Sequence, residues 1–340
     1  MNRMIRQLTR RSETYVLLIV ILFSAFVTAI NPAFLTLENL FDLLRSSSGT
    51  AILAVGIFLV LLSGGVDVSC TTIAIVGQYI SVNVLIRTGI DNIFFMFAIS
   101  IALGIALGAI NAVFVSLFRL PTLIVTLGTS SLYHGAMLEF VGTKAVNVGG
   151  LPQSIKTFGT MDVLTLYRPD GTTYGLSVFF VMLVAVLTLT YFILKFTMVG
   201  RGIYAVGGNL EAARRAGFNT TKIQFFVYMY AGMLAGIMGV MHLGLIRYSN
   251  PNYLVGTELS IIAAVVLGGT RISGGTGTIT GTMIGVMLIT ILEKNLIMIG
   301  LSSYWQQFFV GVVLILGVSI TYLQAKFQKT GRQIILKEEE

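Results

Sequence analysis

Apolar residues along this chain gather into blocks close to twenty residues long, separated by short polar or glycine-rich interruptions. A helix of that length spans a hydrocarbon core of about 30 Å. Ten such blocks can be drawn: Thr14 to Ile30, Thr50 to Leu62, Thr71 to Ile86, Ile93 to Phe118, Pro121 to Phe140, Tyr174 to Lys195, Ile223 to Ile246, Glu258 to Gly269, Thr278 to Leu296 and Ser303 to Tyr322. The pattern predicts an all-α polytopic membrane protein with about ten transmembrane helices, folded as a single transmembrane domain over residues 1–340.

Composition agrees, since 55% of the 340 residues are hydrophobic and 11% are charged, too little polar surface for a soluble globule of this length. The net charge of +8 does not point to nucleic acid, because the cations form no continuous patch. They mark topology instead. Arg3, Arg6, Arg10 and Arg11 precede the first span; Arg201, Arg214, Arg215 and Lys222 lie in the loop 199–222; Lys326, Lys329, Arg332 and Lys337 follow the last span. An even number of spans places all three clusters on one side, so the segment 1–13, the loop 199–222 and the tail 323–340 are expected in the cytoplasm. The first span reads as retained and not as a cleaved leader. The longest loop, 141–173, falls on the opposite side, with turn chemistry at Pro152, Pro169 and Asp170-Gly171. Glu338 to Glu340 read as a solvated end, and the lone Cys70 as a small packing residue.

Two apolar blocks end in glycine pairs, at Gly64-Gly65 followed by Asp67, and at Gly268-Gly269. Aligning Gly64 with Gly268 also matches Ser69 with Ser273, Thr72 with Thr276 and Gly77 with Gly281, the mark of a weak parallel duplication. Glycine pairs before polar residues interrupt a helix. Either they form gating or re-entrant elements, where unwound backbone lies within protein or beside water, or they are ordinary tight turns. Small residues four apart, Gly104/Gly108, Gly232/Gly236 and Gly277/Gly281/Gly285, predict close helix packing.

Chemistry of the enzymatic kind is missing: the chain carries no P-loop, HExxH, nucleophile elbow or CxxC pattern, so no catalytic residue and no metal site is assigned. Deep ionisable groups are few. His134 and Glu139 are five residues apart and do not share a helix face, and His242 stands alone, which gives an ion-coupled carrier little to work with. Uncharged polar groups are more frequent: Gln78, Asn83, Asn111, Thr122, Thr126, Thr129, Ser130 and Ser131. Thr122, Thr126 and Ser130 or Thr129 fall on one helical stripe, suited either to line a path for a neutral sugar or to bond neighbouring helices.

The loop Gly207-Gly208-Asn209-Leu210-Glu211-Ala212-Ala213-Arg214-Arg215-Ala216-Gly217 reads as a two-turn helix with Asn209 as N-cap, Glu211 in its positive first turn and Gly217 as its stop. A helix this short does not hold in water alone. It is shaped for a partner's groove, or else for lipid headgroups.

The stretches Leu62-Ser63-Gly64-Gly65-Val66-Asp67-Val68-Ser69, Ile124-Val125-Thr126-Leu127-Gly128, Gly200-Arg201-Gly202-Ile203-Tyr204-Ala205-Val206-Gly207-Gly208-Asn209 and Ile262 to Thr270 with Ser273-Gly274-Gly275 resemble, in that order, the membrane permeases of ribose-type ABC importers. The resemblance covers nearly the whole chain. It implies a bacterial inner-membrane permease paired with a second permease chain, identical or related. A cytoplasmic ABC ATPase would use ATP and Mg, and an extracytoplasmic binding protein would deliver a sugar. It further implies that Gly207, Gly208, Asn209, Glu211, Ala212, Arg214, Arg215 and Gly217 form the ATPase-coupling element, that the loop 141–173 faces the binding protein, and that Gln78, Asn111, Thr122, Thr126 and Ser130 are candidates for the path. Cys70-Thr71-Thr72 and Arg271 depart from the common pattern of small residues there and leave specificity open: a nucleoside or another small polar solute is the alternative cargo, with an ion-coupled secondary transporter behind it.

Overall fold

The computed structural model describes residues 12–168 and 170–298, with six further positions between 305 and 319. The basic segment before Ser12, the greater part of the tenth block, the tail 323–340 and Pro169 lie outside the described residues.

The chain is mostly helical: α1 (Ser12–Ile30), α2 (Leu37–Leu62), α3 (Cys70–Thr88), α4 (Ile93–Ala112), α5 (Thr122–Phe140), α6 (Gln153–Gly159), α7 (Val178–Phe196), α8 (Met198–Gly208), α9 (Leu210–Arg215), α10 (Thr220–Ile246), α11 (Glu258–Leu267) and α12 (Ile279–Met298). Among the described residues, α2, α3, α7, α10 and α4 with its continuation to Leu117 are long and apolar enough to cross a membrane.

The second span starts thirteen residues before the expected Thr50, at Leu37. Its polar run does not break the helix because Ser46 and Ser47 turn their hydroxyls back onto the carbonyls of Leu43 and Leu44, satisfying themselves inside the helix. The centre of the bundle is α10, packed against α4, α2 and α3. A Cβ added at Gly104 would meet the Gly232 carbonyl at 2.1 Å, and one at Gly232 would meet the Gly104 carbonyl at 2.1 Å. The glycine pairs of α4 and α10 therefore bring two backbones into direct contact. Gly285 does the same against Ala264, with 2.0 Å to its carbonyl.

The helical expectation holds for the bundle, with one addition that the sequence reading did not foresee. Two antiparallel strands, β1 (Asp162–Tyr167) and β2 (Thr173–Ser177), rise from the 141–173 loop. β-Branched and aromatic residues, Val163, Thr165, Tyr167, Thr173 and Tyr174, favour extended backbone on both sides of the Asp170-Gly171 turn. Asp170 closes that turn by accepting from the Thr172 hydroxyl at 2.6 Å and its amide at 2.9 Å, and these bonds hold its carboxyl below the usual carboxylate range. Tyr174 therefore belongs to a strand, and the sixth span begins at Val178.

Candidate functional site

The first helix break is built from the backbone outward. At the end of α2 the Gly64 amide donates to the Leu61 carbonyl at 2.9 Å and the Gly65 amide to that of Val60 at 3.0 Å, with Gly64 at φ 86°. This is a Schellman cap. The segment from Ser63 to Ser69 then runs unwound through the protein, and its polar groups must find partners there. They find them on α5: Thr122 Oγ1 accepts from the Val66 amide at 3.0 Å, and Thr126 Oγ1 accepts from the Val68 amide at 3.3 Å while donating to the Val66 carbonyl at 3.2 Å.

A buried network continues from the break. Asp67 accepts from the Ser69 amide at 2.8 Å and the Ser69 hydroxyl at 2.6 Å. Asn111 of α4 donates to Ser69 Oγ at 2.8 Å, and Tyr133 of α5 donates to Asn111 Oδ1 at 3.1 Å. Thr72 and Ser130 share a hydrogen bond of 2.7 Å. Thr71 donates to Glu258 at 2.9 Å, and Glu258 also accepts from the Gly256 amide at 2.9 Å. The start of α3 is thereby tied to the start of α11. Higher on α3, Gln78 bonds His242 at 3.1 Å and Ser249 at 3.4 Å. Of the Thr122, Thr126 and Ser130 stripe, the first two thus bond the unwound segment and the third bonds α3. His134 reaches the Pro251 carbonyl at 3.2 Å, Glu139 is exposed, and the two are not brought together. The Cys70 thiol is buried and directed at the Asp67 carbonyl.

The second break repeats the first. At the end of α11 the Gly269 amide donates to the Val266 carbonyl at 2.9 Å and the Thr270 amide to that of Val265 at 3.4 Å, with Gly269 at φ 94°. The equivalence pairs Gly64 with Gly269, which corrects the alignment of Gly64 with Gly268 by one residue. Gly268 has an ordinary helical φ of −62° and serves a different need: a Cβ there would lie 2.2 Å from the Gly281 carbonyl on α12.

Both breaks meet α8. A Cβ on Gly207 would lie 1.8 Å from the Leu62 carbonyl and 2.6 Å from the Gly275 amide, and one on Gly274 would lie 2.7 Å from Gly64 Cα. The Gly275 amide donates to the Leu62 carbonyl at 2.9 Å. Gly274 and Gly275 belong to a stretch that carries the family resemblance, yet nothing in their spacing indicates this contact.

From that junction the chain enters α9. Asn209 caps it by accepting from the Ala212 amide at 2.9 Å, and Arg214 bonds Glu211 at 3.0 Å and Thr220 at 3.2 Å. The Gly217 and Phe218 amides close its other end on Arg214 and Ala213, with Gly217 at φ 86°. Ala213 is buried, while Glu211, Ala212, Arg215 and Ala216 face outward. Among the described residues no group of three or more His, Cys, Asp or Glu side chains is placed to hold a metal ion.

Comparison with known proteins gives this geometry a setting. Residues 39–318 match the family described as branched-chain amino acid transport system / permease component. The chain is 34% identical over 297 residues to the ribose import permease protein of Escherichia coli (strain K12), covering 87% of this chain and 89% of that one. It is 32% identical over 309 residues to the ribose import permease protein of Haemophilus influenzae, covering 90% and 91% of the two. It is 34% identical over 332 residues to the autoinducer 2 import system permease protein of Enterobacter sp. (strain 638), covering 97% and 92%. No solved structure matches. A multi-pass helical bundle whose sequence matches that family over residues 39–318 belongs to it: the chain is a permease component of an ABC importer.

Proposed function

We propose that this chain is one half of the membrane core of an ATP-driven importer for a sugar or a sugar derivative. The family description names amino acids, whereas the relatives it resembles along most of its length import ribose or autoinducer 2, and the neutral polar interior favours a hydroxylated solute. The core would comprise ten spans per chain as a single domain, with both termini cytoplasmic in a bacterial inner membrane and a second permease chain beside it. An extracytoplasmic binding protein would deliver the solute against the 141–173 loop. ATP and Mg would be used by a cytoplasmic ATPase.

The observation that carries this reading is α9. It has six residues, too few to persist alone, yet it is capped at both ends and turns Glu211, Ala212 and Arg215 outward. Such a helix fits the groove of an ATPase. The breaks at Gly64-Gly65-Asp67 and Gly268-Gly269 would act as the moving gates. Gln78, Asn111, Thr122, Thr126 and Ser130 would form the wall behind the path, with Asn111, Thr122 and Thr126 holding the first gate by hydrogen bonds.

Reconstitution in vesicles with an ATPase subunit and a binding protein tests this. Uptake should require ATP hydrolysis, and hydrolysis should depend on this chain. Accumulation of sugar by the chain alone, driven by a proton gradient without ATP, would overturn the reading.

A further inference from the structure

Between α10 and α11 the chain runs from residue 247 to 257 without helix. Its first part pairs with the 141–173 loop, Ser249 and Val146 exchanging backbone hydrogen bonds of 2.8 and 3.0 Å. From there it descends into the bundle. The Pro251 carbonyl meets His134 at 3.2 Å, six residues before the end of α5, or about 9 Å in at 1.5 Å per residue. Glu258 meets Thr71 at 2.9 Å, and the adjacent Thr72 meets Ser130, which is eight residues from one end of α5 and ten from the other. That is about 12 Å from the nearer end. α4 gives a similar depth: Asn111, bonded to Ser69, lies six residues before Leu117, about 9 Å inside.

Non-helical backbone at such a depth is tolerated against protein or water and not against lipid. No part of this chain covers it. Asn252, Gly256 and Thr257 are exposed, as are Tyr253 by 48% and Val255 by 41%, and nothing lies within 4 Å of a Cβ built on Gly256. On α5, Ser131 is exposed one turn before His134. The outer face of α7 is of the opposite kind: Val181, Val184, Leu189 and Phe192 are exposed there, as contact with acyl chains requires.

Glu258 puts an ionisable group on the polar face. It is half-buried, and its Oε2 accepts from the Thr71 hydroxyl and the Gly256 amide, each at 2.9 Å. Its Oε1 has no partner among the described residues and is not sealed from the outside. A carboxyl group within a membrane needs water or a partner. Here one oxygen fixes the group in place, which leaves the other oriented to accept from a solute.

We infer that residues 250–257 and the Ser131 side of α5 wall a water-filled cavity within the membrane, and that Glu258 Oε1 accepts hydrogen bonds there from hydroxyls of the cargo. The cargo class rests on the transport reading above, whereas the cavity does not. Neutral donors already hold Oε2, and Ser131, Asn252 and Thr257 add no charge to the wall, so the site suits a polyol.

Cys70, the only cysteine of the chain, is buried, so a single added cysteine reports on its own surroundings. The full chain carrying Val255→Cys is placed in vesicles with a charged thiosulfonate on both faces of the membrane. Because the thiolate forms in water and not in lipid, it should react about tenfold faster than Leu189→Cys on α7. Ribose should slow the labelling of Val255→Cys and leave that of Leu189→Cys as it was. Adding Glu258→Gln, which keeps an oxygen for Thr71, should leave the sugar-free rate unchanged. It should raise the ribose concentration for half protection about tenfold, the loss of one charge-assisted hydrogen bond. Labelling at Val255 no faster than at Leu189 gives this face to lipid or to a second chain and overturns the cavity. Protection by leucine and not by ribose, protection by neither, or protection by ribose that Glu258→Gln does not weaken overturns the role of Glu258. Neither measurement uses the ATPase or the binding protein, so uptake without ATP would sink the transport reading alone.

Discussion

Replacing Gly207 by alanine tests the junction between α9 and the two helix breaks. The added Cβ would stand 1.8 Å from the Leu62 carbonyl, where ordinary contact begins at 3.4 Å, so the α8 and α2 backbones must part by about 1.6 Å. Both neighbours are backbone, and no flexible side chain can yield. The Gly275 to Leu62 hydrogen bond of 2.9 Å crosses the same contact and would be stretched beyond useful length. Losing it costs about 1 kcal/mol, and forcing extra volume into a packed site costs about 1–3 kcal/mol. Alanine returns up to about 1 kcal/mol of helix propensity. The net loss is about 1–3 kcal/mol, and it falls on the piece of chain leading directly to α9.

Gly208→Ala is the internal control, because no atom lies within 4 Å of a Cβ built there; its effect should stay within about 0.5 kcal/mol. The assay compares the two variants in detergent by thermal unfolding and in the reconstituted assembly by uptake per ATP hydrolysed. Gly207→Ala should melt several degrees lower and lose uptake at equal hydrolysis. If the two variants behave alike in both measurements, the junction has no mechanical role and the close contact is incidental.

The remaining predictions concern the elements that this junction joins. Asn209→Ala removes the only side-chain cap of α9, costs about 1 kcal/mol, and should lower ATPase stimulation severalfold while membrane insertion is unchanged. Glu211→Lys breaks the pair with Arg214 and puts a cation at the positive helix end; hydrolysis should continue while vesicle uptake falls. Thr126→Val strips the Val68 amide of its acceptor and the Val66 carbonyl of a donor, a loss of about 1–3 kcal/mol that differential scanning fluorimetry should register. Ser131→Ala, whose hydroxyl bonds only within its own helix turn on an exposed face, should leave the melting curve in place.

Hydropathy made most of the helices legible, because a residue facing lipid or a bundle core has no polar choice. It failed where polarity was satisfied locally. The second span was drawn only from Thr50 because the serine run before it is polar, and its hydroxyls bond the preceding turn. The hairpin was hidden because Val, Leu and Tyr suit a strand and a membrane helix equally, so that Tyr174 was drawn into the wrong element. Of the site, the glycine pairs and the short helix could be read, since φ above zero and capping are local requirements. The meeting of Leu62, Gly207 and Gly275 could not, since close approach between segments far apart in sequence leaves no periodic trace.

The same distinction gives the one-residue shift between the two breaks its physical content. Gly64 is a glycine for its backbone: φ is 86°, while the nearest atom to an added Cβ is 3.6 Å away. Asparagine tolerates that conformation better than other residues with a Cβ, so Gly64→Asn should keep the chain folded at a cost of about 1 kcal/mol. Gly268 is a glycine for its space: its φ suits any residue, but its Cβ would meet the Gly281 carbonyl at 2.2 Å. Gly268→Asn should therefore disrupt the α11 and α12 contact and reduce the yield of folded chain in detergent. Were the two glycines equivalent, as their sequence alignment suggests, the two asparagine variants would fold equally well. That result would return the duplication to its sequence register and remove the Schellman cap as the common element of the two breaks.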